Sequence, residues 1–503
     1  MIITFVKDMA IYSLSQFLPA LTAFITTPIL TRLFPPAEYG YWALATSVSA
    51  FLVALSVSGF GSAVIRFYPA YINNSNIDVF FTTICVSIGT IITFVAAISC
   101  LTLFFFKDFL PSGLVQLLPL VIMIFIAQSI STIFISVIRA QGRSGSFTFF
   151  QLLIYFGALG VGLLLVVSFG FRIDGLLWGT FLILVLTAPF LIFQAIKGVG
   201  ILPLHFHLPE ALQIWQYAWP LTLGNVAMWG LRISDIFIIS SFWSERDVGL
   251  YFVSYNISAK SIELLVALFL LSVSPLVYST WEREGQAATE KTLSMVTRVY
   301  LILCLPAAVG LSVLAVPFVA LLTAPDYYEG SRIVGFVAFS SFAWGLANIA
   351  MMGLTIKKRS GRLGANQIVA AFTHIGLQLL LVPRYGYVAA AISTLLGYTV
   401  LLIMNTLASR PYLTWRFPFS TLRNVVVASV VMGLATWGIY GMSDTGNNGS
   451  PAYLILSIVV AVPIYFICLW WLGEVKEYEK NTVIQLCYRV TGREVHKGSG
   501  YRH

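Results

Sequence analysis

Residues 147–169 read FTFFQLLIYFGALGVGLLLVVSF and carry no charged side chain. As a helix, such a run is about 35 Å long at 1.5 Å per residue, enough to cross a hydrocarbon core of about 30 Å. A helix apolar on every side has no face to offer water. Comparable runs follow one another along the chain, at roughly 10–33, 41–65, 79–106, 114–138, 147–169, 173–196, 212–241, 248–278, 293–323, 331–356, 364–382, 386–408, 421–441 and 452–473. The expected fold class is an all-α integral membrane protein with about fourteen transmembrane helices. Composition agrees: 58% of the 503 residues are hydrophobic and 10% charged, against roughly 45–50% and about 25% in soluble domains. No soluble domain fits between the runs. The first one follows Lys7 and Asp8 and outlasts a signal-peptide core without a clear cleavage site, so it reads as a retained helix.

The formal charge is +9, from 29 basic and 20 acidic residues. Nucleic-acid binding would need the basic residues clustered, but here they punctuate the apolar runs. Assigning them to alternate sides of fourteen spans puts about 21 on the side of the termini and 6 on the other, the six being Arg32, Lys107, Arg172, Arg246, Arg332 and Arg384. Short cytoplasmic loops are enriched in Lys and Arg, so both termini are expected in the cytoplasm, with the loops near Pro35, Trp243 and Ser443 outside. A bacterial or archaeal cytoplasmic membrane is the expected location. The cysteines, Cys85, Cys100, Cys304, Cys468 and Cys487, form no CxxC pair, and the first four lie in apolar runs. They read as packing residues rather than a disulfide or metal framework.

A weak internal repeat divides the first twelve spans into two sets of six, a common construction in transporters. Leu18-Pro19-Ala20-Leu21-Thr22 in span 1 corresponds to Trp219-Pro220-Leu221-Thr222 in span 7, and Glu38-Tyr39-Gly40-Tyr41 to Asp247-Val248-Gly249-Leu250. Arg139-Ala140-Gln141-Gly142-Arg143-Ser144-Gly145 after span 4 matches Lys357-Lys358-Arg359-Ser360-Gly361-Arg362 after span 10. Arg172 shortly before Gly175 at span 6 matches Arg384 before Gly386 at span 12. The expected organisation is a six-helix lobe over 1–200, a second over 201–410, two added transmembrane helices over 411–474 and a basic cytoplasmic tail over 475–503.

The stretches Thr27-Pro28-Ile29-Leu30-Thr31-Arg32-Leu33-Phe34, Ala37-Glu38-Tyr39-Gly40-Tyr41-Trp42 and Gly59-Phe60-Gly61-Ser62-Ala63-Val64-Ile65-Arg66 resemble the polysaccharide-transporter family. These are the O-antigen and exopolysaccharide flippases of the multidrug/oligosaccharidyl-lipid/polysaccharide exporter superfamily. The resemblance implies two six-helix lobes in a V around a central cavity. It further implies movement of undecaprenyl-diphosphate-linked glycan from the cytoplasmic to the outer leaflet, with membrane lipids, a polysaccharide polymerase and glycosyltransferases as partners.

Ionisable side chains inside a span cost about 2.5–3.5 kcal/mol on insertion scales, so each invites a functional reading. Asn225, Arg232 and Asp235 recur on one face of span 7, and Asn256, Lys260 and Glu263 on one face of span 8. In one reading they form a cationic wall for a diphosphate, Arg232 as a planar fork and Lys260 as a point charge. In the other, Arg232 with Asp235 and Lys260 with Glu263 are two local ion pairs. Arg32 and Arg66, at the mouths of the first lobe, fit substrate contact and snorkelling to headgroups equally. Pro19 and Pro220 mark matching helix bends, a pointer to a transport site. His374 and Gln378 share a face of span 11 and fit proton relay or packing. His205 and His207 lack the neighbours of a metal site. Gly285 to Thr292 has phosphate-loop spacing, but Glu290 stands where a glycine is required. No cofactor is therefore expected. A proton or sodium gradient, or the downhill fate of the product, is the expected drive, with Asp235 and Glu263 as the carboxylates best placed for coupling. A glycan polymerase would need acids or bases in a sizeable outward loop, whereas the outward loops here are short. A cationic-drug antiporter of the same superfamily is the nearer alternative, though cationic drugs suit carboxylates better than a basic wall. A peptidoglycan lipid II flippase is a further one, whose first helix is typically richer in arginine than Met9 to Arg32.

Overall fold

The computed structural model describes residues 21–73, 77–109, 111–197, 206–441 and 451–474, and every regular element among them is helical. A short α1 (Leu21–Leu33) leads into α2 (Pro36–Ser56), α3 (Ser58–Asn73), α4 (Ile77–Phe106), α5 (Ser112–Ala140), α6 (Ser144–Phe169), α7 (Asp174–Ile196) and α8 (Leu208–Phe242). Then come α9 (Glu245–Val313), α10 (Ala315–Leu322), a 3-10 stretch (Pro325–Ile333), α11 (Val334–Ala350), α12 (Met352–Ile356), α13 (Ser360–Ser409), α14 (Phe419–Gly441) and α15 (Pro451–Trp471).

Local chemistry sets the boundaries. Pro36 occupies the first turn of α2, where a missing N–H leaves nothing unsatisfied. Ser244 and Asp247 form a reciprocal capping box at the start of α9. Gly170, at φ 72°, closes α6 in the left-handed conformation. Gly285 (φ 78°) and Gly386 (φ 67°) interrupt α9 and α13, and each long helix folds back as a hairpin. Phe269 and Tyr300 accordingly meet edge to face across the first hairpin with ring centroids 5.4 Å apart, and Asn366 Nδ2 donates to Asn405 Oδ1 at 2.9 Å across the second. Eleven helices among the described residues are long and apolar enough to cross a membrane. With α9 and α13 counted as hairpins and α1 added, the chain crosses fourteen times, as the runs predict. The predicted ends shift where breaks intervene. The second span starts at Pro36 rather than near 41 and continues past a break at Val57 into α3, and the ninth breaks at Leu314.

Contacts gather the connections at two ends. At the Pro36 end, Tyr327 donates to the Phe34 carbonyl at 2.8 Å, Trp243 Nε1 to the Val382 carbonyl at 2.8 Å, and Arg172 pairs with Glu38. At the Arg139 end, Gln141 Nε2 donates to the Ala195 carbonyl at 2.6 Å and Arg143 to the Gln194 carbonyl at 2.7 Å.

The first-half helices meet the second half along α2 and α3 against α8 and α9. Near the Pro36 end the contact is backbone on backbone. A Cβ on Gly40 would lie 2.0 Å from the Glu245 carbonyl oxygen, and one on Gly249 would lie 1.9 Å from that of Pro36. Each oxygen belongs to the residue four before the opposite glycine, so the contact is reciprocal. Further along, a Cβ on Gly59 would lie 2.2 Å from the Ala218 carbonyl oxygen and 2.3 Å from Thr222 Oγ1. Below the glycine crossing, Tyr39, Trp42, Phe252 and Tyr327 pack edge to face, with Tyr39 and Trp42 centroids 5.2 Å apart.

The α14–α15 hairpin is fastened to α9 by a buried clasp. Glu474 Oε1 accepts from Arg298 Nε at 2.8 Å and from Thr421 at 2.6 Å, and Oε2 accepts from Asn424 at 3.0 Å. Burial pushes the Glu474 carboxyl up, but the hydrogen bonds from Thr421, Arg298 and Asn424 outweigh it and hold it below the ordinary carboxylate range.

Candidate functional site

Three ionisable groups meet in the middle of α8 and the first arm of α9. Glu263 Oε1 accepts from Arg232 Nη2 at 2.7 Å, and Oε2 accepts from Lys260 Nζ at 2.9 Å. Lys260 reaches Glu263 within one helix, three residues on, whereas Arg232 reaches it from the neighbouring helix. The Arg232 guanidinium also lies 5.5 Å from the Trp344 ring centroid, in range of a cation–π attraction. One carboxylate thus serves two cations, so the group retains a surplus positive charge at membrane depth. The side chains are 40% exposed for Arg232, 28% for Lys260 and 18% for Glu263. Both cations are more accessible than the carboxylate that binds them.

The two local pairs considered from sequence are therefore corrected in one member. Arg232 pairs with Glu263 and not with Asp235, because Asp235, three residues on, turns into the interior of the second half. Asp235 is 1% exposed and takes hydrogen bonds from several directions. His374 Nε2 lies 2.8 Å from Oδ1, which Gln378 also contacts, while Thr394 donates to Oδ2 at 2.9 Å and Tyr251 donates to the same oxygen. His374 is fully buried. Gly397, on the second arm of α13, permits this approach, since a Cβ there would lie 2.9 Å from His374 Cβ. His374 and Gln378 share a face of α13, as expected, and that face is turned onto Asp235.

The remaining sequence candidates disperse. Asn225 is exposed and stands apart from the Arg232 cluster. Asn256 lies one turn before Lys260, its Nδ2 donating to the Phe252 carbonyl at 2.8 Å. Arg32 is exposed and donates back to the Pro28 carbonyl at 2.7 Å, and Arg66 is exposed on α3. Neither enters the cavities described below. Helix α8 runs unbroken across Pro220, in the region where Ala218 and Thr222 meet Gly59. Pro19 and His205 lie outside the described residues. His207 Nδ1 stands 3.6 Å from Glu210. Residues 286–292 continue α9 as helix, with Gln286 bonded to Glu290 at 2.9 Å, so the phosphate-loop spacing does not form a phosphate loop.

A cavity of about 600 Å³ opens among α1, α2, α5, α6 and α7, and Phe252 and Asn256 of α9 complete its wall. Its most polar side is one face of α5, where Gln128, Ser131, Thr132, Ser136 and Arg139 follow at helical spacing. An apolar groove of about 940 Å³ runs between α2, α4, α5 and α8, lined by residues such as Phe51, Phe94, Leu118 and Trp219.

The model of the polysaccharide biosynthesis protein family matches residues 29–331. This chain belongs to that family. The chain is 21% identical over 503 aligned residues to an uncharacterized membrane protein of Methanocaldococcus jannaschii, covering 90% of this chain and 97% of the relative. It is 19% identical to the probable low-salt glycan biosynthesis flippase Agl15 of Haloferax volcanii over 281 residues, 55% of this chain and 58% of that one. Among solved structures, the lipid II flippase MurJ in an inward closed conformation superposes with a TM-score of 0.75 at 16% identity, covering 92% of this chain and 99% of MurJ. An inward-facing multidrug resistance MATE family transporter of the MOP superfamily gives 0.65 at 14% identity, covering 79% and 94%. The resemblance carried by Thr27–Phe34 and its neighbours stands, the family through its model and the fold through these structures.

The α5 stripe of this polysaccharide biosynthesis protein is the feature that intramembrane charge does not reveal. Its members are neutral until Arg139, and a search for ionisable residues passes over it. Its signal is the recurrence of Gln, Ser and Thr at intervals of three and four residues in a run with no other polar side chain at those positions.

Proposed function

We propose that this protein is a flippase that carries a lipid-diphosphate-linked oligosaccharide, of the O-antigen, capsule or exopolysaccharide kind, from the cytoplasmic to the outer leaflet by alternating access. The observation that carries this reading is the shared carboxylate: with Arg232 and Lys260 both on Glu263, one positive charge remains for a diphosphate. A charged headgroup pays heavily to cross hydrocarbon, and a fixed cation at midplane offsets that penalty. The 940 Å³ apolar groove between the halves suits a polyprenyl tail that stays in lipid while the headgroup moves. The family match and the likeness to a probable glycan biosynthesis flippase of Haloferax volcanii support a glycan cargo. Asp235 and His374, buried together, are the groups assigned to proton coupling, with Tyr251, Tyr255 and Tyr398 as the titratable neighbours around them.

The test is exposure of the lipid-linked glycan to an added glycosidase in intact cells. Deleting the gene is expected to abolish that exposure and to leave glycan units accumulated on the cytoplasmic leaflet. Unchanged exposure together with reduced efflux of cationic dyes would replace this reading with drug antiport.

A further inference from the structure

We infer that the 600 Å³ cavity of the first half is a sugar-binding compartment selective for uncharged glycans, an inference that rests on the flippase reading and assigns the headgroup's two parts to different places. The volume falls in the range of small-ligand sites, about 300–1,000 Å³. Its wall has a particular polarity. The hydroxyls of Thr132, Ser136 and Thr180 donate to the carbonyls of Gln128, Thr132 and Leu176 at 2.7, 2.8 and 2.9 Å, and Thr26 donates to that of Thr22. With its proton committed to the helix, each hydroxyl presents only lone pairs to the cavity. Asn256 spends one of its two amide N–H groups on the Phe252 carbonyl, leaving Oδ1 as acceptor and a single N–H as donor.

A ligand matched to such a wall must bring donors. Sugar hydroxyls do; a phosphate or carboxylate, which only accepts, does not. Gln128, whose Oε1 accepts from Ser49 at 3.1 Å, supplies an amide donor in return. Ser131 Oγ is an independent observation: the residue is 3% exposed, lines the cavity and has no hydrogen-bond partner among the described residues, so its hydroxyl is uncommitted. Unpaired buried polar atoms are uncommon and call for an explanation. The faces of Trp42 and Tyr155 provide apolar walls for the C–H side of a pyranose ring. Among the described residues no carboxylate lines the cavity, and the cation among them, Arg139, lies at the end of the α5 stripe. Asn256 is one helical turn, about 6 Å, from Lys260, so a diphosphate at Lys260 places the first sugars at the cavity mouth.

The experiment uses the full-length protein reconstituted in vesicles with two synthetic probes: a polyprenyl-diphosphate-linked neutral tetrasaccharide and its counterpart with two glucuronic acids. Flipping is read by lectin access, and geranylgeranyl diphosphate binding by thermal shift. Wild type is expected to flip the neutral probe at least tenfold faster than the acidic one. Thr132→Val and Gln128→Leu are expected to lower neutral flipping at least tenfold and to leave geranylgeranyl diphosphate binding unchanged, with Thr132→Ser restoring the rate. Equal rates for the two probes, or wild-type flipping by both Thr132→Val and Gln128→Leu, would overturn the inference while leaving the flippase reading intact. If wild type neither flips the probes nor binds the diphosphate, the flippase reading itself fails and the inference with it.

Discussion

Replacing Lys260 with alanine leaves Arg232 on Glu263, a balanced pair, so a purely structural role for Lys260 predicts little loss. A substrate role predicts a large one. A hydrogen bond to a charged group is worth about 1.5–3 kcal/mol, so transport by Lys260→Ala is expected to fall about 10- to 100-fold at unchanged melting temperature, with Lys260→Arg retaining part of it. Wild-type transport by Lys260→Ala would remove Lys260 from the substrate path. At Asp235, the expectation is a pH-dependent rate: vesicles with an imposed proton gradient should flip faster than those with a sodium gradient. His374→Gln should flatten the rate across about pH 6–8, the interval in which histidine ordinarily titrates. Drive by sodium alone, with an unaltered profile in His374→Gln, would exclude the proton. These residues also mark how far the sequence can be read. Helical spacing places Lys260 beside Glu263 because both lie on one helix. It cannot pair Arg232 with Glu263 or bring His374 to Asp235, since those contacts depend on how α8, α9 and α13 dock.

At the scale of elements, fourteen crossings are legible because hydrocarbon imposes one rule, a long apolar run, at every span. The break at Val57 is not, because no proline or charge marks it, whereas Pro317 stands in the first turn after the break at Leu314. Gly142 and Lys358 both take positive φ, 71° and 55°, and Gly40 and Gly249 face each other. Two glycine contacts join the halves, Gly40 with Gly249 near the Pro36 end and Gly59 with Ala218 and Thr222 further in. A valine at Gly40 or Gly249 would press a side chain onto backbone, and the same substitution at Gly59 would do so at the other contact. The expectation is opposite bias. With a single reporter cysteine at Ser136, on an otherwise cysteine-free background, Gly40→Val should raise labelling by an impermeant maleimide from outside intact cells. Gly59→Val should raise it in inverted vesicles. Equal labelling of both variants from both sides would show that these contacts gate nothing.

For the whole molecule, the uneven distribution of Lys and Arg, about 21 against 6, predicts an orientation that labelling can check. A lone cysteine at Ser443 should react with an impermeant reagent in intact cells, and one at Ser499 should not; reaction at Ser499 would invert the topology. The C-terminal hairpin has its own dependence on acidity. Glu474 is held below the ordinary carboxylate pKa, so its contribution is complete above about pH 4.3, the unfolded value, and is lost as pH falls through the lower folded value. Hydrogen exchange in α14 and α15 should therefore rise on acidification below about pH 4.3 before it rises in α2, and Glu474→Gln should bring that exchange to neutral pH. The two glycine crossings also have a mechanical consequence. From Gly40 to Gly59 is 19 residues, roughly 28 Å of helix at 1.5 Å per residue. With one crossing as fulcrum, a tilt of about 10° parts the other by roughly 5 Å on that lever arm, wide enough for a sugar ring to begin to pass edge-on. Backbone meets backbone at the first point, and at the second only the short Thr222 side chain joins the Ala218 carbonyl, so little bulk stands at either pivot and the same pair of crossings can alternate as hinge and as doorway.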